Sequence, residues 1–294
     1  TLSTTYNYGS GTGSCNVPGG CAGSGGLGQL NVSGWGSING GFYVQGPDLA
    51  ASTNPNYAQT YKGLSNQGGS GLGFTSKSGS TNETRASPDH AFDNSGGTGS
   101  NASKGADNEL LLLDFGSAKV NLTQIQTGWS SVDTDVMVFR WDGTDSPTMG
   151  SVAGPTGLTG AGWNLVAAKD MDGQAGNLSN DIGSRTFKLD GSEGTGFVGG
   201  DDADKVSSWW LVTTYFGSDN TTHNLGKGND FFKLLSFSAQ VCDTAGNSEL
   251  DGNTCKKKTP PPPADVPEPA TMALAGLALF GMAAQRRRRK LVAA

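Results

Sequence analysis

Short apolar runs of period two, separated by Gly, Asp and Asn, fill residues 85 to 241. "ELLLLDFGS" (Glu109 to Ser117) is a continuous apolar run bounded by Asp and Gly, the pattern of a strand buried on both faces. "TDVMVFRWDGTD" sets Val136, Val138 and Arg140 on one face and Met137, Phe139 and Trp141 on the other, then ends in an Asp-Gly turn. "KVNLTQIQTGWS" alternates through Val120, Leu122 and Ile125 to Trp129 with one slip of phase, as a bulge produces. "AGWNLVAAKDMDG", "SSWWLVTTYFGS" and "NDFFKLLSFSAQVC" repeat the strand pattern, and "WGSINGGFYVQG" predicts a further strand from Trp35. No stretch here sustains the i, i+3, i+4, i+7 spacing of a helix, and no fixed-period repeat occurs. The expectation is a mainly β fold, an antiparallel β-sandwich or jelly-roll-like domain with Gly-rich loops.

The flanks differ in character. Residues 1–34 are Gly, Ser and Thr with little apolar content, and read as a loop or an edge hairpin outside the sandwich at 35–255. Residues 256–269, "KKKTPPPPADVPEP", form a charged, proline-rich stalk, which is extended chain. Residues 270–294 close the sequence with an apolar stretch and a block of cations. Ala270 to Ala284 is about 22 Å long as a helix, short of the roughly 30 Å hydrocarbon core. Its apolar character runs all round, which predicts one C-terminal transmembrane helix rather than a core helix. Arg286, Arg287, Arg288 and Arg289 stay on the cytoplasmic side, so the globular part is expected outside.

Composition sharpens this picture. Of 294 residues 47 are Gly and only 16% are charged, so the core is thin and the loops are many. The net charge is −6, and setting aside Arg286–Arg289 and Lys290 takes the remainder to −11. An acidic globule excludes nucleic acid as a partner class. Four cysteines fall into two local pairs around turn-rich loops, Cys15–Cys21 and Cys242–Cys255, which predicts two disulfides and an oxidising compartment. With no CxxC spacing and two histidines, zinc is disfavoured. An exported chain needs a cationic-apolar leader, so Thr1 is expected to follow a removed or omitted one.

"VPEPATMALAGLALFGMAAQRRRRK" resembles the PEP-CTERM sorting signal, with its Pro-Glu-Pro motif at Pro267, Glu268 and Pro269, an apolar helix and an Arg cluster. The resemblance implies export by a Gram-negative, exopolysaccharide-producing bacterium and processing near the motif by exosortase, a membrane-embedded cysteine protease-transpeptidase. The helix then anchors the chain only transiently in the inner membrane, before delivery to the outer surface or extracellular matrix. "SPDHAFDNSG", "ELLLLDFGS", "LTQIQTGWSSVDTDVMVFRW", "GWNLV", "SSWWLV" and "NDFFKLLSFSAQV" are similar to exosortase-dependent surface proteins of the XDP1 group, a family without an established activity.

Candidate chemistry follows from side-chain types. His90 and His223 are the histidines, and Ser87, Asp89, His90 and Asp93 lie close in sequence, but no nucleophile elbow accompanies them. The expectation is no catalytic residue, and a glycoside hydrolase is the weakest reading. Asp-rich turns offer oxygen ligands for Ca²⁺. Asp133 and Asp135 fall in one such turn, and a loose likeness to galactose-binding-like jelly rolls points to Asp93 and Asn94. Adjacent tryptophans in a strand point to opposite faces, so one of Trp209 and Trp210 is the expected aromatic contact for sugar or a partner. Two functional classes remain: a structural or adhesive surface protein, associated with exopolysaccharide or another surface polymer and open to self-association, and a carbohydrate-binding module.

Overall fold

Period-two alternation with β-branched and aromatic residues on one side leaves each strand an apolar face to bury, and two sheets meeting face to face do so. The computed structural model describes residues 3–7, 21–22, 29–38, 41–44, 65–66, 71–74, 77–78, 81–82, 91–93, 108–132, 134–149, 157–171, 184–189, 197–199, 205–216, 222–223, 225–226, 230–242 and 248–258. The chain divides into two compact units, Thr1–Lys256 and Lys257–Ala294. The predicted helix at Ala270–Ala284 lies outside the described residues. Among those described, no helix is long and apolar enough to cross a membrane.

The strands run in chain order as β1 (Ser3–Asn7), β2 (Cys21–Ala22), β3 (Gln29–Ile38), β4 (Gly41–Val44), β5 (Ser65–Asn66), β6 (Leu72–Gly73), β7 (Lys77–Ser78), β8 (Thr81–Asn82), β9 (Phe92–Asp93) and β10 (Glu109–Asp114). Then come β11 (Val120–Val132), β12 (Asp135–Trp141), β13 (Trp163–Asp170), β14 (Arg185–Lys188), β15 (Phe197–Gly199), β16 (Trp209–Thr214), β17 (Asp230–Val241), β18 (Ser248–Asp251) and β19 (Thr254–Lys257). One sheet is ordered β14-β11-β17-β6-β5, with β1 and β9 also on β17; the other is ordered β15-β13-β12-β16-β10-β3-β2, with β4 on β3. The strand pairs of both are antiparallel. The Gly/Ser-rich start of the chain is not confined to a loop: β1 pairs along β17 from Ser3 to Asn7, and β3 begins at Gln29 and pairs with β10.

The main core sits between the sheets. Phe92, Leu122, Ile125, Phe187, Phe232, Leu234 and Phe237 from one meet Leu30, Leu111, Leu113, Val136, Val138, Trp210 and Val212 from the other. Close approach is sharpest at Gly34, where a Cβ would lie 2.2 Å from the Phe74 ring; that ring stacks on Phe92, which stacks on Phe232. A second apolar layer lies on the opposite face of the larger sheet, where Leu110, Met137, Phe139, Trp163 and Leu211 are covered by Met149, Leu158, Tyr215 and Leu225. Central strands β10 and β12 therefore bury both faces, as their uninterrupted apolar runs require. Gly162, at φ 105°, closes this layer: a Cβ there would press on the Trp141 ring at 3.0 Å.

The slip of phase in β11 is real but is not single. Its pairing with β17 shifts between Leu122 and Gln124, between Gln126 and Thr127, and between Thr127 and Trp129. The first and third insert Thr123 and Gly128 into β11 and reverse its side-chain parity beyond them, while the middle one inserts Leu235 into β17. The shift at Gly128 sets Trp129 opposite Lys233, whose neighbours Phe232 and Leu234 point into the core. Trp129 thus faces outward, where uninterrupted alternation from Ile125 would have turned it in.

Candidate functional site

Asp135, one of the residues expected to hold calcium, sits in a lattice of backbone ties. Asp135 is fully buried; its Oδ2 accepts the Gly226 N–H at 2.7 Å, and its own N–H donates to Asp230 Oδ1 at 2.9 Å. Thr134 Oγ1 donates to the Phe231 carbonyl at 3.1 Å, and the Tyr215 N–H donates to the Asp135 carbonyl at 3.0 Å. These bonds join β12, β16 and β17 across both sheets, with Asp135 Oδ2 meeting one part-buried N–H. Asp93 sits in β9 opposite Phe231, next in register to Asp230. Asn94 and Asp133 lie outside the described residues. Among those described, no three His, Cys, Asp or Glu residues converge as a metal set.

The tryptophan pair divides as strand geometry demands. Trp210 is a core residue: fully buried, it donates its indole N–H to the carbonyls of Val120 at 3.2 Å and Ser207 at 3.3 Å. This removes Trp210 from the surface contacts expected for sugar, because no face of its ring is accessible. Trp209 turns to the outside of the larger sheet, half-buried against the second apolar layer, with Lys119 Nζ 5.5 Å from its ring centroid.

Sequence reasoning missed the surface on the other sheet. There Lys233 Nζ lies 5.1 Å from the Trp129 ring centroid, within the range of a cation–π contact. Beside it Ser236 Oγ donates to Gln126 Oε1 at 2.7 Å, and Gln126 Nε2 donates to Ser184 Oγ at 2.9 Å. Gln124 lies opposite Ser238 and Lys188. The signal was present in "TQIQTGWS": a Gly directly before the Trp is where a bulge is easiest.

The C-terminal edge of the described fold is stapled. Cys242, just past β17, is bonded to Cys255 in β19, with Cα atoms 5.6 Å apart. The β18–β19 hairpin is also held by a bridge between Lys205 and Thr254 and by Asn253 Nδ2 donating to the Asp142 carbonyl at 3.1 Å. Within the hairpin Lys256 binds Asp251. Its hydrogen bond, then its charge, hold that carboxyl below the usual carboxylate range. The pair therefore supports the hairpin above the unfolded carboxylate value and loses that support as pH falls through the lowered one. Cys15 lies outside the described residues. The bonded cysteines are 13 residues apart; opening a loop of that size costs about 3 kcal/mol. The double variant Cys242→Ala, Cys255→Ala is expected to unfold with that loss. Dithiothreitol should shift wild type by that amount more than it shifts the variant, whose remaining cysteines are Cys15 and Cys21; equal shifts in the two contradict the bond.

Beyond this stapled edge, residues 265–289 match the PEP-CTERM protein-sorting motif. The chain carries a PEP-CTERM signal. Pro267, Glu268, Pro269 and Arg286–Arg289 all lie inside the matched range. A PEP-CTERM signal directs a chain to exosortase processing and to the cell envelope or surface. No curated protein and no solved structure matches this chain.

Proposed function

We propose that this PEP-CTERM protein is a non-catalytic structural or adhesive component of an exopolysaccharide matrix, on the outer surface of a Gram-negative cell. The observation that carries the reading is the sorting motif at 265–289 placed after a disulfide-closed β-sandwich. The disulfide suits an oxidising exterior. Twenty-six acidic residues against twenty basic ones keep the chain soluble at a crowded surface. A carbohydrate-binding module of galactose-binding-like type is the second reading, favoured by the half-buried Trp209 ring under Lys119.

Extraction of intact biofilm tests the first reading. The processed chain should stay with the polymer through washing and be released when the polymer is digested by its own depolymerase. Recovery of all the protein in the wash, or in the cytosol with reduced thiols, contradicts it.

A further inference from the structure

We propose that the outer face of the β14-β11-β17 sheet is a binding surface for an extended acidic polysaccharide, with Trp129, Lys233 and Lys188 as its principal contacts. The inference rests on the polymer-associated function proposed above and assigns it a site and a ligand class.

The face is cationic on a chain whose net charge is negative. On the outer parity the described residues of β11, β14 and β17 place two cations, Lys188 opposite Gln124 and Lys233 opposite Trp129, while Arg185 pairs with the inward Thr127, and their one carboxylate, Asp230, is fully buried. The sheet's other carboxylate among described strands, Asp93, sits in the short β9 at the edge. A globule with net negative charge thus presents cations on one broad surface, which is complementary to a polyanion. It is too sparse in cations for a nucleic-acid footprint, which needs a dense basic stripe.

The chemistry between the cations suits sugar. Gln124, Gln126 and Ser238, each half-buried, supply amide and hydroxyl groups in adjacent rows of β11 and β17, with Gln126 held by the buried Ser236. Amides and hydroxyls both donate and accept, as ring hydroxyls and carboxylates require. Trp129 offers the one aromatic ring among the described residues of these three strands that faces outward as a half-buried surface. An aliphatic sugar face packs on such a ring through dispersion and apolar burial. Strand spacing puts β14 and β17 about 10 Å apart. Lys188 pairs in register with Gln124, and Lys233 pairs with Trp129 further along the strands, so the cations are diagonal across the face. That layout favours a chain crossing several strands over a single sugar in a pocket.

Full-length chain in detergent is immobilised and titrated with polygalacturonate, a polyuronate, and with dextran, a neutral glucan. Wild type is expected to bind polygalacturonate in a salt-sensitive manner and dextran weakly. Trp129→Ala, and separately the double variant Lys188→Gln, Lys233→Gln, should each weaken the polyuronate by roughly tenfold. Lys188 is exposed on an edge strand, so Lys188→Gln alone reports on the surface without risk to the fold. Trp209→Ala on the opposite sheet should bind as wild type. If wild type binds either polymer but the Trp129 and Lys variants bind equally well, or only Trp209→Ala loses binding, this site is overturned while polymer association stands. Dextran binding as tight as polyuronate overturns the acidic ligand. If wild type binds neither polymer, nor polysaccharide from its own matrix, the functional reading falls with the site.

Discussion

Trp210→Ala lowers the unfolding free energy by about 3–5 kcal/mol, while its neighbour Trp209→Ala costs about 1 kcal/mol. The contrast comes from parity alone. Trp210 opposes Leu113 on one side and Arg140 on the other, in the layer where both sheets bury their side chains. Its removal leaves a cavity walled by close-packed strands with little freedom to collapse. The loss is chiefly volume. The Val120 carbonyl also accepts the Ser207 N–H, and the Ser207 carbonyl accepts the Val120 N–H, so both keep partners when the indole is gone. Trp210→Phe, which keeps most of the ring, should recover more than half of the lost stability. Trp209 keeps water on one face and loses only partial burial and its contact with Lys119. Urea denaturation of the three variants measures this: the midpoint moves and the slope stays constant if only stability changes. Equal losses at the two positions, or a larger loss at Trp209, reject the assigned register of β16.

How far the sequence could be read differs from strand to strand, for physical reasons. In β12 no bulge intervenes between Asp135 and Val138, and the alternation of Val136 and Val138 against Met137 and Phe139 is the observed division between the two apolar layers. β10, with four consecutive leucines, was legible as a strand covered twice because only burial on both faces accommodates such a run in water. β11 was legible through its first bulge, on either side of which Leu122 and Ile125 face the core, but not past Gly128. Parity carries no memory across an inserted residue, so the outward turn of Trp129 needed the partner strand as well as the pattern. β1 was hidden because "STTYN" has almost no apolar alternation, and β17 supplies the pairing. The acidic turns were legible as ligand-rich segments. What the pattern could not convey is that Asp135 turns its Oδ2 to the Gly226 amide, a partner 91 residues away. The adjacent tryptophans announced that they must part, but the choice of side depended on the sheet stacking against β16.

Replacing Pro267, Glu268 and Pro269 together by Ala should leave the chain full-length and in the membrane fraction of its own cells, where wild type is shortened and released to the surface. Two features of the tail's sequence lead to this expectation. Its apolar stretch would be about 22 Å as a helix, short of the roughly 30 Å core, so the proposed anchor would hold the chain at the membrane without locking it there. The block Arg286–Arg289 cannot cross, since each guanidinium carried into hydrocarbon costs several kcal/mol. On the proposed reading, helix and cations would set depth and orientation and put residues 267–269 at the outer boundary, within reach of a membrane-embedded protease. The Pro-Glu-Pro segment contributes no apolar area, so its replacement leaves insertion intact and removes only recognition. Arg286–Arg289→Ser is the complementary variant: recognition residues remain, but the barrier to translocation falls, and the helix should slip outward or insert in either orientation. Intact-mass measurement of membrane and surface fractions separates the outcomes. Wild type should lack the tail, the Ala variant should retain it at the membrane, and the Ser variant should divide between fractions. A normally shortened, surface-released Ala variant removes the motif from processing and leaves the helix as a simple anchor.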